Sequence, residues 1–181
     1  SHPFWAPSGR SIAFFAGGLL KSLDLGGGRS RVLAQSRNPM GGTWNREDVI
    51  LYVPHAASPV MRVPASGGTP AAITQLATGE LSHRFPCFLP DGRRFLFLVM
   101  ANAAEKEGVY LASIDTPTTR QRILSADSSA EYAAPGYLLA VRDGALVAMP
   151  FDVRSGKTSG HPISLSGHVG SSEGRGAFWI S

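Results

Sequence analysis

The sequence predicts an all-β protein made of repeated units of four antiparallel strands, and three observations carry this prediction. The 181-residue chain has 21 glycines, 13 prolines and only 17% charged residues, which favours many short turns over long charged helices. Short runs rich in aromatic and β-branched residues recur along it, each closed by turn residues. The combination of turn and run repeats at about 40 residues, the length of one β-propeller blade. We therefore expect a β-propeller.

The repeat is clearest in two similar turns. Pro7–Arg10 and Pro90–Arg93 share the pattern Pro-Ser/Asp-Gly-Arg, and each precedes an apolar run. A unit between them is marked by Trp44, which stands before its run as Trp5 stands before the first. Ala134–Gly136 marks a fourth unit. The four apolar runs are IAFFA from Ile12, VILYV from Val49, FLFLVM from Phe95 and YLLAV from Tyr137.

Each run is typical of a strand buried on both faces, and two further strands follow it. The second strands are LLKSLDL, VMRVPAS, GVYLASID and ALVAMPFD; the third strands are RVLAQ, AAITQL, QRILSA and PISLS. Together with the strand that carries Trp5 or Trp44, this makes four strands per unit. Gly17–Gly18 and Asp143–Gly144 supply short hairpin turns, where glycine adopts positive φ without a Cβ penalty. Ala101–Gly108 is too short for a stable helix and is predicted to be a solvated hairpin tip.

We expect a single β-propeller domain over residues 1–181, with about four blades and the start of a fifth. The approximate blade boundaries are 1–37, 38–80, 81–127, 128–170 and a partial blade at 171–181. A blade cannot bury both its faces alone, so the blades must stack around an axis. The run from Phe95 is predicted to be the inner strand of the third blade. Gly176–Ser181 is typical of the approach to a fifth repeat, so we expect a segment of a larger propeller.

Charge and hydropathy exclude several classes of partner. The net charge is +4 and the isoelectric point is near 9.6, but Arg and Lys are spread out with no run longer than two. We therefore predict no nucleic-acid surface. No apolar run reaches the roughly 18 to 20 residues of a membrane span. The single cysteine, Cys87, cannot form an intrachain disulfide and is interpreted as a small buried hydrophobe.

Each candidate catalytic motif favours a structural interpretation. Gly170–Gly174 fits G-x-S-x-G, but no helix-forming segment follows, so we expect a flexible loop between blades. Gly156–Thr158 resembles the end of a phosphate-binding loop, yet Phe151 stands where the required glycine should be, which leaves a turn. Asp91 and its counterpart Ser8 are expected to hold their own turns by hydrogen bonds to the backbone.

The histidines and the repeated aromatic residues also favour structural roles. Trp5, Trp44 and Phe88 occupy similar repeat positions, which favours packing between blades over ligand stacking. The histidines lack metal-ligand spacing and are expected to be hydrogen-bonding residues in loops or at blade edges: His2, His55, His83, His161 and His168. We predict no catalytic residue, no cofactor-binding residue and no metal site.

Two stretches carry a family resemblance. APSGRSIAFF and LPDGRRFLFL resemble the WD40-like repeats of the TolB family. ILSADSSAEYAAPGYLLAVRDGALVAMPFDVRSGKTSGHPISLSGHVG, with the closing GRGAFWIS, is similar to the propeller region C-terminal to bacterial serine/threonine protein kinases. The chain has no kinase motif of its own: His83-Arg84-Phe85 lacks the aspartate of the catalytic loop, and a kinase domain would lie outside these residues.

The resemblance implies a non-catalytic module that binds a protein or small ligand at a propeller rim or in the central channel. It also implies the sensor region of a bacterial serine/threonine kinase, on the outer side of the cytoplasmic membrane, with any membrane anchor elsewhere in the parent protein. Two alternatives stay open. One is the substrate-gating propeller of a prolyl-oligopeptidase-like serine peptidase, and the other is a TolB-like envelope scaffold.

Overall fold

The structure is a computed structural model that describes residues 3–178, and every helix or strand in that range is a β-strand. Four antiparallel sheets follow one another along the chain, and each is called a blade below. The first blade contains β1 (Phe4–Trp5), β2 (Ser11–Ala16), β3 (Leu19–Asp24) and β4 (Ser30–Gln35). The second contains β5 (Gly42–Trp44), β6 (Val49–Tyr52), β7 (Met61–Pro64) and β8 (Ala71–Ala72).

The two later blades are larger. The third contains β9 (Glu80–Phe88), β10 (Arg94–Ala101), β11 (Gly108–Ser113) and β12 (Arg120–Leu124). The fourth contains β13 (Glu131–Ala133), β14 (Tyr137–Arg142), β15 (Ala145–Asp152), β16 (Lys157–Thr158) and β17 (Ile163–Gly167), the last two both pairing with β15. A hairpin of β18 (Ser171–Ser172) and β19 (Arg175–Gly176) follows. The all-β class and the four-stranded antiparallel sheets are confirmed.

The twelve runs predicted as strands all fall on strands, and the predicted turns connect them. Both central residues have positive φ in Gly17–Gly18 (62° and 73°) and in Asp143–Gly144 (50° and 71°), as a type I′ turn requires. One predicted strand is much shorter than its apolar run. Beyond Ala72 the N–H groups of Ile73 and Thr74 both donate to the carbonyl of Val60, and the ladder of β8 ends there.

Apolar clusters fill the spaces between successive blades. The cluster between the first two blades includes Phe15, Leu20, Leu33, Trp44, Ile50 and Val63. The next includes Leu51, Val53, Val60, Phe95, Phe97 and Val99, and the third includes Leu96, Val109, Leu111, Leu138, Met149 and Phe151. Alternate residues of β10 therefore pack against the second and fourth blades, which confirms that this strand is buried on both faces.

The radial order of the strands corrects one prediction. β1, β5 and β9 lie beside one another and so are nearest the axis. Gly42 in β5 meets the ring of Phe4 so closely that an added Cβ would lie 2.5 Å from it. The run from Phe95 lies in β10, the second strand from the axis, and its prediction as the inner strand is wrong. It is apolar because blades cover both its faces, and that says nothing about its distance from the axis.

The aromatic residues at equivalent repeat positions differ in burial. Trp44 is 9% exposed and packs in the first cluster, while its indole N–H donates to Asp48 Oδ1 at 3.1 Å. Phe88 is half-buried and meets the ring of Phe95 edge-on. Both pack between blades as expected. Trp5 is 61% exposed instead, and does not belong to the cluster between the first two blades.

The turn at Asp91 joins the third blade to both neighbours. Asp91 Oδ1 accepts the N–H groups of Arg93 and Arg94 at 2.9 Å each. Burial opposes ionisation of this carboxyl, but those hydrogen bonds outweigh it and lower the pKa of Asp91. Arg93 pairs with Glu47 of the second blade and Asp115 of the third, and Arg94 donates to carbonyls at 153 and 154 in the fourth. Asp91 is thus a turn residue, as the sequence predicts.

The predicted hairpin tip between β10 and β11 is present and is tied to its surroundings. Lys106 donates to the carbonyl of Thr78 at 3.0 Å, and Arg122 Nε donates to the carbonyl of Glu107 at 2.6 Å. Tyr110 Oη donates to the carbonyl of Lys106. These contacts fix a segment that composition alone describes as solvated.

Two glycines with nearly equal φ test the close approach of the inner strands. Gly67 (φ 90°) has open space around its Cα, so Gly67→Ala should cost only the left-handed backbone strain, about 1–2 kcal/mol. At Gly41 (φ 91°) an added Cβ would lie 2.9 Å from the Cα of Phe85, so Gly41→Ala should cost about 1–3 kcal/mol more. Urea unfolding of both variants measures the difference. Equal losses would contradict the packing described here.

Candidate functional site

A cavity of about 190 Å³ lies where the blades converge, and it is called the axial funnel. Every blade contributes to its wall through or near its first strand. The lining segments are Pro3–Phe4, Gly41–Thr43, Phe85–Cys87 and Ser129–Glu131, together with Arg175 of β19. The pair Gly41–Gly42 lets β5 approach its neighbours, since a side chain at either position would meet Phe85 or Phe4.

A larger cavity of about 560 Å³, the rim cleft, adjoins the axial funnel. Pro39, Met40 and Phe85 form one side of it, and residues 170–173 and 175–178 form the other. Phe85 and Arg175 border both cavities. The two spaces therefore share walls, and a ligand of sufficient length could occupy both.

The shared wall residue Phe85 has an unusual backbone. Its φ is 50°, which is rare for an aromatic residue, and its N–H donates to the carbonyl of Met40 at 2.7 Å. Gly41, without a Cβ, leaves room for the Phe85 backbone. Strained backbone of this kind persists only where the surroundings over-determine it, and it clusters at functional sites.

The far side of the rim cleft is a hairpin where the sequence predicted a loop. Glu173 (φ 54°) and Gly174 (φ 83°) form a type I′ turn between β18 and β19. The carbonyl of Gly174 accepts the N–H of Ser129, and the carbonyl of Glu173 accepts Arg84 Nη1, both at 2.7 Å. The hairpin is thus joined to the third and fourth blades. It is an ordered element there, because these long-range bonds hold it.

The same hairpin shows that the G-x-S-x-G motif does not form a nucleophile elbow. The nucleophile elbow needs a sharp turn from a strand into a helix, with the serine at its tip. Ser172 lies inside β18 instead, and the turn leads into another strand. Gly156–Thr158 likewise closes the turn after β15 and enters β16. Gly156–Thr158 is thus part of a turn, as the sequence predicts, whereas Gly170–Gly174 forms part of a hairpin and not the predicted loop.

The thiol in the axial funnel has a raised pKa. Cys87 is the one free cysteine, and burial, assisted by the Glu131 carboxylate, raises its pKa to about 12. A thiol with that pKa carries almost no thiolate at neutral pH and is a poor nucleophile or metal ligand. The expectation of a small buried hydrophobe holds only in part, because Cys87 is half-buried and borders the funnel beside polar and charged residues.

A buried polar network joins the second and third blades. Thr74 Oγ1 lies 2.7 Å from His83 Nδ1 and accepts the Val60 N–H. His83 Nε2 lies 3.1 Å from Glu80 Oε2 and 2.9 Å from Arg120 Nη1. Arg120 Nη2 also donates to Glu80 Oε1 at 2.6 Å. His83 thus lies on β9, an edge strand of the third blade, and makes hydrogen bonds as the sequence suggested, but it is fully buried between blades.

The network connects a hydroxyl, an imidazole and a carboxylate in the order of a catalytic relay, but its side chains are not accessible from either cavity. His83 is 0% exposed and Thr74 is 6% exposed, and neither borders the axial funnel or the rim cleft. Burial lowers the pKa of His83, and Arg120 adds to this although Glu80 opposes it. Burial would raise the pKa of Glu80, but its hydrogen bonds to Arg120, Ala77 and His83 lower it overall. The arrangement fits a structural lock with a neutral imidazole.

The other histidines of the sequence prediction are not part of this network. His55, His161 and His168 are exposed residues between strands, as expected. His2 lies outside the described residues, and so do residues 179–181 of the predicted start of a fifth repeat.

Within residues 3–178 there is no group of three or more His, Cys, Asp or Glu side chains that could hold a metal ion. The same range contains no helix of the length and apolarity needed to cross a bilayer.

No protein-family model and no curated protein matches this sequence. Several solved structures do match this chain. TolB from Acinetobacter baumannii matches with a TM-score of 0.67 at 12% identity, over 92% of this chain and 43% of that one. The fold is a TolB-like β-propeller.

Enzymes share this fold with TolB. An oligogalacturonate lyase in complex with manganese matches with a TM-score of 0.64 at 11% identity, over 88% of this chain and 52% of that one. A prolyl endopeptidase matches with a TM-score of 0.59 at 15% identity, over 93% of this chain and 28% of that one. This propeller segment thus spans about half the length of the lyase and less of the other two. Its likeness to them is one of fold, which catalytic and non-catalytic proteins share.

The lock at His83 predicts a pH-dependent stability. Because the pKa of His83 is lowered in the folded state, the unfolded chain takes up that proton first, and stability falls as pH drops below about 6.5. The contribution of Glu80 is lost only below its ordinary carboxyl range. His83→Gln should lower stability at pH 8 but flatten its decline between pH 7 and 5, as measured by urea unfolding.

The matched control is the exposed His161. His161→Gln should keep the decline seen in the unsubstituted chain. A decline that is equally steep in the His83→Gln variant would show that the buried imidazole is not its source.

Proposed function

We propose that this chain is a non-catalytic binding module that holds a protein segment or small ligand at the axial funnel. The observation that carries the proposal is the convergence of all four blades on one cavity that opens beside an apolar cleft. Ligand sites in propellers and barrels are formed in this way, from short segments that a rigid scaffold brings together.

The chemistry of the walls supports binding over catalysis. The thiol of Cys87 is protonated at neutral pH, and the hydroxyl–imidazole pair of Thr74 and His83 is buried away from both cavities. The residues that do border them are apolar side chains, small polar residues, backbone groups and charged side chains that include Glu131 and Arg175. Such a set can orient a ligand without reacting with it.

The finer proposal is that the module is the sensor or interaction region of a bacterial serine/threonine kinase, outside the cytoplasmic membrane. It rests on the sequence similarity of residues 123–170 and 174–181 to the propeller regions that follow such kinases. Ligand binding at the axis would then be reported to the rest of the parent chain.

The second candidate is a propeller that gates a prolyl-oligopeptidase-like peptidase, and the structural similarity to a prolyl endopeptidase favours it. A TolB-like envelope scaffold is the third, favoured by the similarity to TolB. The adjoining coding sequence separates the three. A kinase domain upstream supports the sensor, a serine-hydrolase domain downstream supports the gate, and a signal peptide directly upstream supports the scaffold.

The binding site itself is tested by filling the funnel. Ser129 is half-buried on its wall, and Ser129→Trp should occupy the cavity; the exposed Ser125, outside both cavities, gives the control Ser125→Trp. A library of polar metabolites and short peptides is screened by thermal shift. A ligand at 100 times its Kd stabilises by about 2.7 kcal/mol, which is easily seen.

We expect hits that the control variant retains and that Ser129→Trp loses while keeping its circular dichroism spectrum. Hits that persist when the funnel is filled by Ser129→Trp, or a library without a single hit, would contradict binding at the funnel.

The sensor role is tested in the full-length parent protein. Deletion of the region corresponding to residues 3–178 should change its kinase output or remove the response of that output to the screened ligands. An output and response that survive the deletion unchanged would contradict the sensor role and leave the binding site itself unaffected.

A further inference from the structure

We infer that the rim cleft binds an extended peptide that pairs as an added strand with β18 and presents a carboxylate beside large apolar side chains. This inference rests on the proposed binding function, because the rim cleft shares Phe85 and Arg175 with the axial funnel. Three features of the cleft support it: an unpaired strand edge, an apolar opposite wall and an unpaired guanidinium.

The unpaired edge follows from the register of the hairpin. Ser172 is opposite Arg175 next to the two-residue turn, Ser171 is opposite Gly176, and the N–H of Ala177 donates to the carbonyl of Gly170. In an antiparallel pair, hydrogen-bonded and non-bonded positions alternate. Ser171 is therefore at a non-bonded position, and its N–H and C=O point away from β19. Within residues 3–178 no other strand pairs with β18.

The opposite wall suits alternate side chains of such a strand. An extended peptide on β18 directs every second side chain to the same face. The apolar residues Pro39, Met40 and Phe85 form this wall, and the cleft volume of about 560 Å³ accommodates two large side chains. Strand addition with pockets for alternate residues is a recurring mode of peptide recognition: main-chain bonds give affinity and the pockets give specificity.

The positive charge of Arg175 at the cleft favours a peptide that carries a carboxylate. Among residues 3–178 the Arg175 guanidinium makes no ion pair and no hydrogen bond, although it borders both cavities. Arg84 of β9, which contacts the hairpin, is already bonded to Ser82 and to the carbonyl of Glu173. A guanidinium binds a carboxylate through two parallel hydrogen bonds, which an amide cannot match.

The charge is tested with one peptide in two forms. A fluorescein-labelled Gly-Ser-Leu-Ser-Phe with a free C-terminal carboxylate is compared by fluorescence anisotropy with its C-terminal amide. We expect the carboxylate form to bind the unsubstituted chain about five- to tenfold more tightly, as one charge-assisted contact allows. Arg175→Gln should abolish this preference. Arg29→Gln, at an exposed arginine outside both cavities, should preserve it.

The strand pairing is tested on the peptide, so that folding of a variant is not at issue. Methylating a backbone nitrogen removes one donor and blocks one edge. Because donors alternate between the two edges of a strand, methylation at Leu or Phe should differ sharply in effect from methylation at the serine between them. Replacing both Leu and Phe by Ser should weaken binding by about tenfold or more, since the apolar wall then loses both its partners. Equal affinity for all these peptides would overturn the inference.

The outcomes separate this inference from the function on which it rests. If no peptide of the set binds while the thermal-shift hits remain sensitive to Ser129→Trp, the peptide inference fails and the binding function stands. If peptides bind but Arg175→Gln leaves the carboxylate preference intact, the assigned site is wrong. If neither peptides nor small ligands bind, both fail.

Discussion

Apolar packing between successive blades is the interaction on which the rest of the structure depends. β10 shows this most clearly, since Phe95 and Phe97 pack against the second blade and Leu96 against the fourth, all nearly inaccessible to solvent. Truncating one such phenylalanine to alanine costs about 3–5 kcal/mol. Because the blades are fixed by these contacts, their first strands are held at the axis. The axial funnel therefore forms as a result of the apolar packing between the blades.

Polar contacts fix how the packed blades are positioned relative to one another, and they do so in two different ways. At the rim, Arg93 and Arg94 connect three blades through exposed or half-exposed bonds that salt weakens. Inside the second interface, Thr74, His83 and Glu80 are bonded through side chains that are nearly inaccessible to solvent. A buried network of this kind is costly when incomplete and specific when complete. Arg84 and Phe85 directly follow His83 on β9, so the network fixes their positions as well. Arg84 in turn contacts the hairpin, and Phe85 borders both cavities.

Local patterns in the sequence predict the strands well and the site poorly. The runs from Ile12 and Phe95 are recognisable because aromatic and β-branched residues between turns have few alternatives. The radial order of strands is not encoded in that pattern, since apolar content reports burial and not distance from an axis. Ser171 and Ser172 have little β-propensity, and their hairpin forms because Arg84 and Ser129 bind its turn. The Gly41–Gly42 pair was the available sign of the funnel.

Amide hydrogen exchange of the native chain tests the dependence of the fold on interblade packing most directly. The amides of residues 95–99, buried between two blades, should exchange only through global unfolding. Those of residues 163–167, which are all exposed residues, should exchange through local opening at far lower free energy. Denaturant should therefore accelerate the second group little and the first strongly. Exchange of residues 95–99 as fast as that of residues 163–167 would contradict an interior held by packing between blades.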